Sequence, residues 1–197
     1  MKSGDEACLD ILREIATIGA GNAAAAMSKM VGRRVNIKMP DARHLSIEKA
    51  PTIMGKSEVV IAVFNKFDGD RPGSLFLLLD EENALALLGL MLNRKVKKVG
   101  ELECSAILEI GNIITGNFLS AVANFLDVLI RPTPPAMKVD MFGAVLDIAL
   151  AEYGKFADSA WIVDVKFLVE AKCKGHLLLI PLFSLMDELS KRVKERG

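Results

Sequence analysis

The stretch Ser105-Ala106-Ile107-Leu108-Glu109-Ile110-Gly111-Asn112-Ile113 has an earlier counterpart in the same chain, Asp10-Ile11-Leu12-Arg13-Glu14-Ile15-Ala16-Thr17-Ile18. The two align without a gap, Glu109 following Glu14 by 95 residues, and the alignment carries on through Gly21-Asn22 with Gly116-Asn117 and Met39-Pro40 with Pro134-Pro135. Further on, Gly73-Ser74-Leu75-Phe76-Leu77-Leu78 matches Gly175-His176-Leu177-Leu178-Leu179-Ile180 at an offset of 102. A duplicated unit shows which residues recur while their surroundings drift. The second copy carries about seven extra residues between Pro135 and Gly175, assigned to Phe142–Tyr153 as an added short helix.

Each copy reads as a long helix, then strands, then another helix. In the first copy the periodicity predicts a helix over 6–31, strands near 33–41, 57–66 and 73–80, and a helix from 81 to 93. The runs Val59–Phe64 and Ser74–Leu79 flank Asp68-Gly69-Asp70-Arg71-Pro72-Gly73, turn chemistry that favours an antiparallel hairpin. The second copy repeats the hairpin with Trp161–Ala171 and His176–Leu182. The expectation is an α+β fold, residues 1–197 as one domain in which two pseudo-symmetric helix-strand-helix repeats, about 5–95 and 100–197, share a mainly antiparallel sheet.

Composition agrees with a folded chain. Of 197 residues, 51% are hydrophobic and 25% charged, which excludes an intrinsically disordered protein. Lys plus Arg and Asp plus Glu are 25 each, so no net field draws the chain to nucleic acid or an anionic membrane, and any partner is recognised locally. Cys8, Cys104 and Cys173 are odd in number and widely spaced, fitting neither a disulfide framework nor a zinc site, and read as reduced cytoplasmic thiols. The start, Met1–Glu6, is polar and acidic rather than a secretory signal. The uncharged stretch Ile110–Leu126 contains Asn112, Asn117 and Asn124, whose amides argue against a membrane span.

At 100° per residue, Ile107, Ile110, Ile114, Phe118, Ala121 and Phe125 fall on one stripe of the second long helix and are assigned to the core. Ser105, Glu109, Asn112 and Gly116 fall on the opposite stripe, where hydroxyl, carboxylate and amide in successive turns can touch one external object. The first helix repeats the plan with Leu12, Ile15, Gly19, Ala23, Ala26 and Met30 inward and Asp10, Glu14, Thr17 and Gly21 outward. One core stripe is small and the other bulky, so the two helices are expected to pack together. An exposed Ser, Glu and Asn is ordinarily a solvated face. The recurrence of Glu14 and Glu109 where core packing imposes no identity argues against that reading, as does Gly116, a mid-helix glycine costing about 1 kcal/mol relative to Ala. Gly116 is explained either by close packing within the fold or by room for a partner's backbone.

The pattern Ser105-x3-Glu109-x2-Asn112-x22-Pro135, with Glu-Ile-Gly-Asn-Ile at 109–113 and Ile-Gly-Ala-Gly-Asn at 18–22, resembles the CheC, CheX and FliY family along essentially the whole chain. Length points to its CheC-type branch, FliY proteins carrying an additional flagellar switch domain. The resemblance implies a phosphatase that hydrolyses the phosphoaspartate of the chemotaxis response regulator CheY. The family glutamate, here Glu109, docks against the receiver's active-site lysine; the amide of Asn112 positions the attacking water; and Ser105 supports them. Such a helper needs no cofactor of its own, because the receiver supplies Mg²⁺. An amide is both donor and acceptor and keeps its charge state with pH, which suits holding a water in line. The resemblance also implies a second partner, the receptor deamidase CheD, to which no residue is assigned.

The first site, Asp10, Glu14 and Thr17 with Pro40, departs from the pattern. Thr17 stands where Asn is expected, and its hydroxyl reaches less far than a carboxamide. Glu14 is expected to dock a receiver while the site hydrolyses poorly, the alternative being a decayed copy kept for folding. Two other functions remain open: a non-catalytic adaptor binding receivers or CheD, and a structural component of the flagellar switch.

Other signals are read as structural. Gly19-Ala20-Gly21-Asn22 lies inside a helical period and does not follow a strand, so it is no phosphate loop. His44 and His176 lack ligand-spaced partners, and no metal site is assigned. Ala84–Leu92 reads as a buried helix or interface, and the basic end at Lys191, Arg192, Lys194 and Arg196 as a solvated face.

Overall fold

The computed structural model describes residues 3–53, 58–153, 158–170 and 172–182 of the chain. The second copy's final helix and the basic end fall on 183–197, outside the described residues. Helix α1 (Ser3–Val31) opens the first half, followed by β1 (Val35–Ile37), β2 (Asp41–Ser46), β3 (Val59–Gly69), β4 (Gly73–Leu79) and α2 (Glu81–Met91). The second half runs α3 (Glu101–Leu126), β5 (Ile130–Pro132), β6 (Ala136–Met141), α4 (Phe142–Tyr153), β7 (Ser159–Val169) and β8 (Cys173–Pro181). The hairpins β3–β4 and β7–β8 form as the turn signals required. Of the stretch read as a strand over 33–41, only β1 and the first residue of β2 are strand: Pro40, which has no N–H to donate, interrupts the ladder, and β2, not expected from the sequence, runs on to Ser46; Pro134 and Pro135 interrupt likewise between β5 and β6.

All pairings are antiparallel, in the order β1-β7-β8-β4-β3-β5, with β2 also on β7 and β6 also on β3. The short strands of each half therefore complete the hairpin of the other. At the centre Phe76 of β4 faces Leu178 of β8, its own counterpart in the 102-residue offset, which places a pseudo-two-fold axis there. The register also locates the additional residues of the second half. Phe67 faces Gly73 and Phe167 faces Gly175, so β7 follows β3 by 100 residues and β8 follows β4 by 102. Five extra residues thus lie in the α4 connection and two in the β7–β8 turn, rather than all seven in the added helix. A side chain on Gly73 or Gly175 would strike the ring of Phe67 or Phe167, which explains why both copies keep the glycine.

Alternation along the strands divides the core. Odd-numbered residues such as Val63, Leu77, Val165 and Leu177 face α1, α2 and α3, while Phe76, Leu78, Ile162 and Leu178 face α4 on the other side. Helix α3 is long and apolar enough to cross a membrane by length and composition, yet half of that window is buried against the rest of the fold.

Candidate functional site

Helices α1 and α3 lie together on one face of the sheet, packed small against large. A Cβ on Gly19 would sit 2.7 Å from the ring of Phe118, so the bare backbone of α1 is what admits that ring. Gly111 similarly clears Val63 of β3. The inward stripe of α1 is as expected, with Ala26 and Met30 half-buried. On α3, Ile107, Ile110, Ile114 and Phe118 are buried, but Ala121 is half-buried and Phe125 is 49% exposed. Towards the end of the helix the buried positions shift to Leu119 and Val122, beside the line that the 3.6-residue turn draws through Ala121 and Phe125.

Both ends of α3 are fixed, as is the C-terminal end of α1. Glu103 in the first turn of α3 accepts from the Gly100 N–H at 3.0 Å and from Arg94 Nη2 at 2.5 Å, satisfying a free amide at the helix start. The Arg94 guanidinium, and then the backbone amides, hold the Glu103 carboxyl below the usual glutamate range. At the other end, Asp127 takes a left-handed conformation and Val128 N–H donates to Ala123 O at 3.1 Å. The equivalent Gly32 closes α1 in the same way, Arg33 N–H donating to Ser28 O.

On this scaffold Ser105, Glu109 and Asn112 are all exposed on the outer stripe of α3, and Gly116 is half-buried beyond them. Ser105 Oγ donates to Glu101 O at 3.1 Å. Neither Glu109 nor Asn112 has a side-chain hydrogen bond or ion pair among the described residues. Asn117, one turn further along, turns its amide back to Ile113 O at 2.8 Å. The unspent carboxylate and amide stand three residues apart on a helix capped at both ends and packed along its inner stripe, open to groups from outside.

The corresponding stripe of α1 is also exposed but its polar ends are engaged. Arg13 Nη1 donates to Asp10 Oδ1 at 2.6 Å, and Thr17 Oγ1 donates to Arg13 O at 2.7 Å. Glu14 alone keeps its side chain unpartnered among the described residues. Pro135 is half-buried and Pro40 buried, each in the connection between its two short strands.

The other chemistry-bearing residues have structural explanations. His44 stacks on Trp161, ring centroids 4.0 Å apart and 2° from parallel, and its Nε2 lies 2.8 Å from Ser159 Oγ. His176 Nδ1 is 2.7 Å from the buried carboxylate of Asp164, a partner not foreseen from sequence, where Asp164 was one polar residue in an apolar strand. Among the described residues no cysteine forms a disulfide; burial pushes the Cys173 thiol up to about 12, and its Sγ donates to Asn83 O. Among the described residues no three His, Cys, Asp or Glu converge as a metal site. A cavity of about 450 Å³ lined by Val60, Leu78, Lys166 and His176 opens on the sheet face away from α1 and α3.

Residues 102–139, which hold Ser105, Glu109, Asn112, Gly116 and Pro135, match the model of the CheC-like family. The chain is 30% identical over 190 residues to the CheY-P phosphatase CheC of Bacillus subtilis strain 168, the match covering 92% of this chain and 91% of that protein. The crystal structure of Thermotoga maritima FliY superposes with a TM-score of 0.74 over 96% of this chain and 97% of that one, at 19% identity. CheX from Borrelia burgdorferi, crystallised as a complex with CheY, BeF₃ and Mg²⁺, matches with a TM-score of 0.60 over 85% of this chain and 97% of that one, at 16% identity. These two structural likenesses establish the fold.

Proposed function

Because the chain belongs to the CheC-like family, we propose that it accelerates hydrolysis of the phosphoaspartate of a CheY-type receiver, with Glu109 and Asn112 of α3 as the acting groups. The observation that carries this reading is the pair of exposed, unpartnered side chains on one anchored helix, inside the segment that matches the family. The same fold occurs in a CheX solved as a complex with CheY, BeF₃ and Mg²⁺, which supports a receiver as the partner.

In this reading the receiver contributes its own Mg²⁺ and lysine, so this chain need only dock and align. Glu109 pairs with the receiver's lysine and sets the helix over the acyl phosphate. Asn112 then reaches into the cleft, its carbonyl oxygen accepting from a water whose oxygen faces phosphorus opposite the aspartate oxygen. The water oxygen bonds to phosphorus, the bond from phosphorus to the aspartate oxygen breaks, and inorganic phosphate and a free carboxylate result, with the water's proton carried by phosphate. No general base is required of this chain, and the benefit is orientation. The core contacts behind Ile110, Gly111 and Ile114 hold the backbone on which that orientation depends. Ser105, its hydroxyl turned to Glu101 O, supports the stripe. The first site docks through Glu14 and hydrolyses poorly, because the Thr17 hydroxyl sits on a short β-branched stem turned back to Arg13 O and reaches less far than a carboxamide.

The test follows loss of phosphate from phosphorylated CheY with wild type, Glu109→Ala and Asn112→Ala. Asn112→Ala is expected to lose about 10²-fold in rate while still binding. Wild-type rates for both variants refute the assignment, and unchanged binding without any turnover in wild type makes the chain an adaptor.

A further inference from the structure

Beyond Gly4 in the first turn of α1, four glycines sit inside α1 and α3, and they fall into two kinds. Gly19 and Gly111 face inward, where an added Cβ would strike Phe118 or Val63; these two are explained by packing. Gly21 and Gly116, equivalents in the duplication, face outward, and an added Cβ would meet nothing within 4 Å among the described residues. Neither takes a positive φ, so no backbone conformation calls for glycine. The fold itself thus gives no reason for a residue that weakens a helix interior.

Gly116 follows Asn112 by one turn on the same stripe and is half-buried, with open space where a Cβ would stand. Resting on the receiver-phosphatase reading, we infer that Gly116 is a clearance: it is bare so that the backbone of the docked receiver lies against α3 at this turn, which sets how deep Asn112 enters. A methyl group here holds the two surfaces apart by more than an ångström, and in-line attack tolerates little displacement. Gly21 keeps the same clearance on α1, consistent with docking at both sites. Gly116 is on this view a positioning residue that touches the partner's surface and none of the reacting atoms.

The experiment compares wild type, Gly116→Ala, Gly116→Leu and Asn112→Ala as full chains. Three readouts are taken: thermal midpoint, affinity for CheY loaded with beryllofluoride and Mg²⁺, and phosphate release from phosphorylated CheY. Gly116→Ala is expected to raise the midpoint by roughly 2–4 °C, since a helix-favouring residue enters open space. It should also lower phosphate release by roughly tenfold, and Gly116→Leu should lower affinity and rate further, in order of bulk. A lowered midpoint would show a packing role inside the fold and overturn the inference, as would wild-type affinity and rate in Gly116→Leu. The underlying reading fails separately. If Asn112→Ala keeps the wild-type rate while Gly116→Leu loses binding, the catalytic role of Asn112 falls and the clearance stands. If Asn112→Ala loses turnover while Gly116→Leu does not, the reverse holds.

Discussion

Helices α1 and α3 present the same plan on the same side of one sheet: a buried stripe, a left-handed residue at the C-terminal end, an outward glutamate and an outward glycine. They part at the residue three positions after the glutamate. On α3 the Asn112 amide extends from the helix with no partner among the described residues. On α1 the Thr17 hydroxyl is closed onto the carbonyl one turn back, and the neighbouring Arg13 is held by Asp10. A β-branched hydroxyl on a helix finds its own backbone, whereas a carboxamide on the outer stripe need not. Duplication has thus preserved the platform and the outward glutamate in both copies, and the side-chain difference confines the proposed chemistry to one.

The sharpest way to break this contrast is to give α3 the side chain of α1. Asn112→Thr is expected to cut phosphate release from phosphorylated CheY by about 100-fold, equivalent to about 2.7 kcal/mol, with the thermal midpoint nearly unchanged at an exposed position. Retained activity would mean that the difference between the helices lies elsewhere.

A second contrast lies within α1, between two glycines separated by one residue. Gly19→Ala forces a Cβ against the Phe118 ring, an overpacking cost of about 1–3 kcal/mol that outweighs the helix gain of about 1 kcal/mol. Gly21→Ala meets nothing and keeps the gain. Chemical denaturation should therefore show opposite signs for the two variants. The same sign for both would contradict the packing assigned to Phe118.

How much of this was legible in the sequence follows from how local each feature is. The outward stripes, the small-against-large core of the helix pair and the hairpins depend on spacing within one segment, and the linear pattern contains them. The exchange of β1–β2 and β5–β6 between halves depends on pairing between residues 61 to 134 positions apart, and nothing local encodes which hairpin a short strand joins. Strand β6, Ala136–Met141, was hidden for a related reason: Lys138 and Asp140 interrupt any apolar run, and it pairs only with β3. Phe125 lies five whole turns from Ile107 and so on the same line, but spacing gives a direction and not where the core ends: one residue from the end of α3 it is 49% exposed. At the candidate site, exposure was readable from periodicity. The closure of Thr17 on Arg13, and the freedom of Asn112, were not, because both are rotamer outcomes.

The anchoring of α3 offers a pH-dependent test of the same platform, since no equivalent carboxylate caps α1 at this position: Cys8 stands where α3 has Glu103. Glu103 has its carboxyl lowered by Arg94 in the folded state, so its contribution is fully present above the ordinary glutamate value and is lost as pH falls through the lowered one. Glu103→Gln should therefore lower the midpoint near neutrality and narrow its gap to wild type on acidification below about pH 4. A gap that stays constant with pH would show that the charge is not what secures the helix.

The smallest effect in the intact chain is expected from the converse exchange, Thr17→Asn. Removing the hydroxyl releases the Arg13 carbonyl and places a carboxamide three residues after Glu14, as on α3. If both helices then act independently, the maximal rate at saturating CheY phosphate rises at most about twofold, because one equal site has been added to another. The background decides what so small a gain means. In Asn112→Ala the original site is silent, and Thr17→Asn should restore a measurable part of the lost rate, abolished again by Glu14→Ala. Failure to restore any activity, with receiver binding to the Glu14 face intact, would locate a further requirement in the surroundings of α3, with Ser105 in place of Asp10 the first difference to exchange.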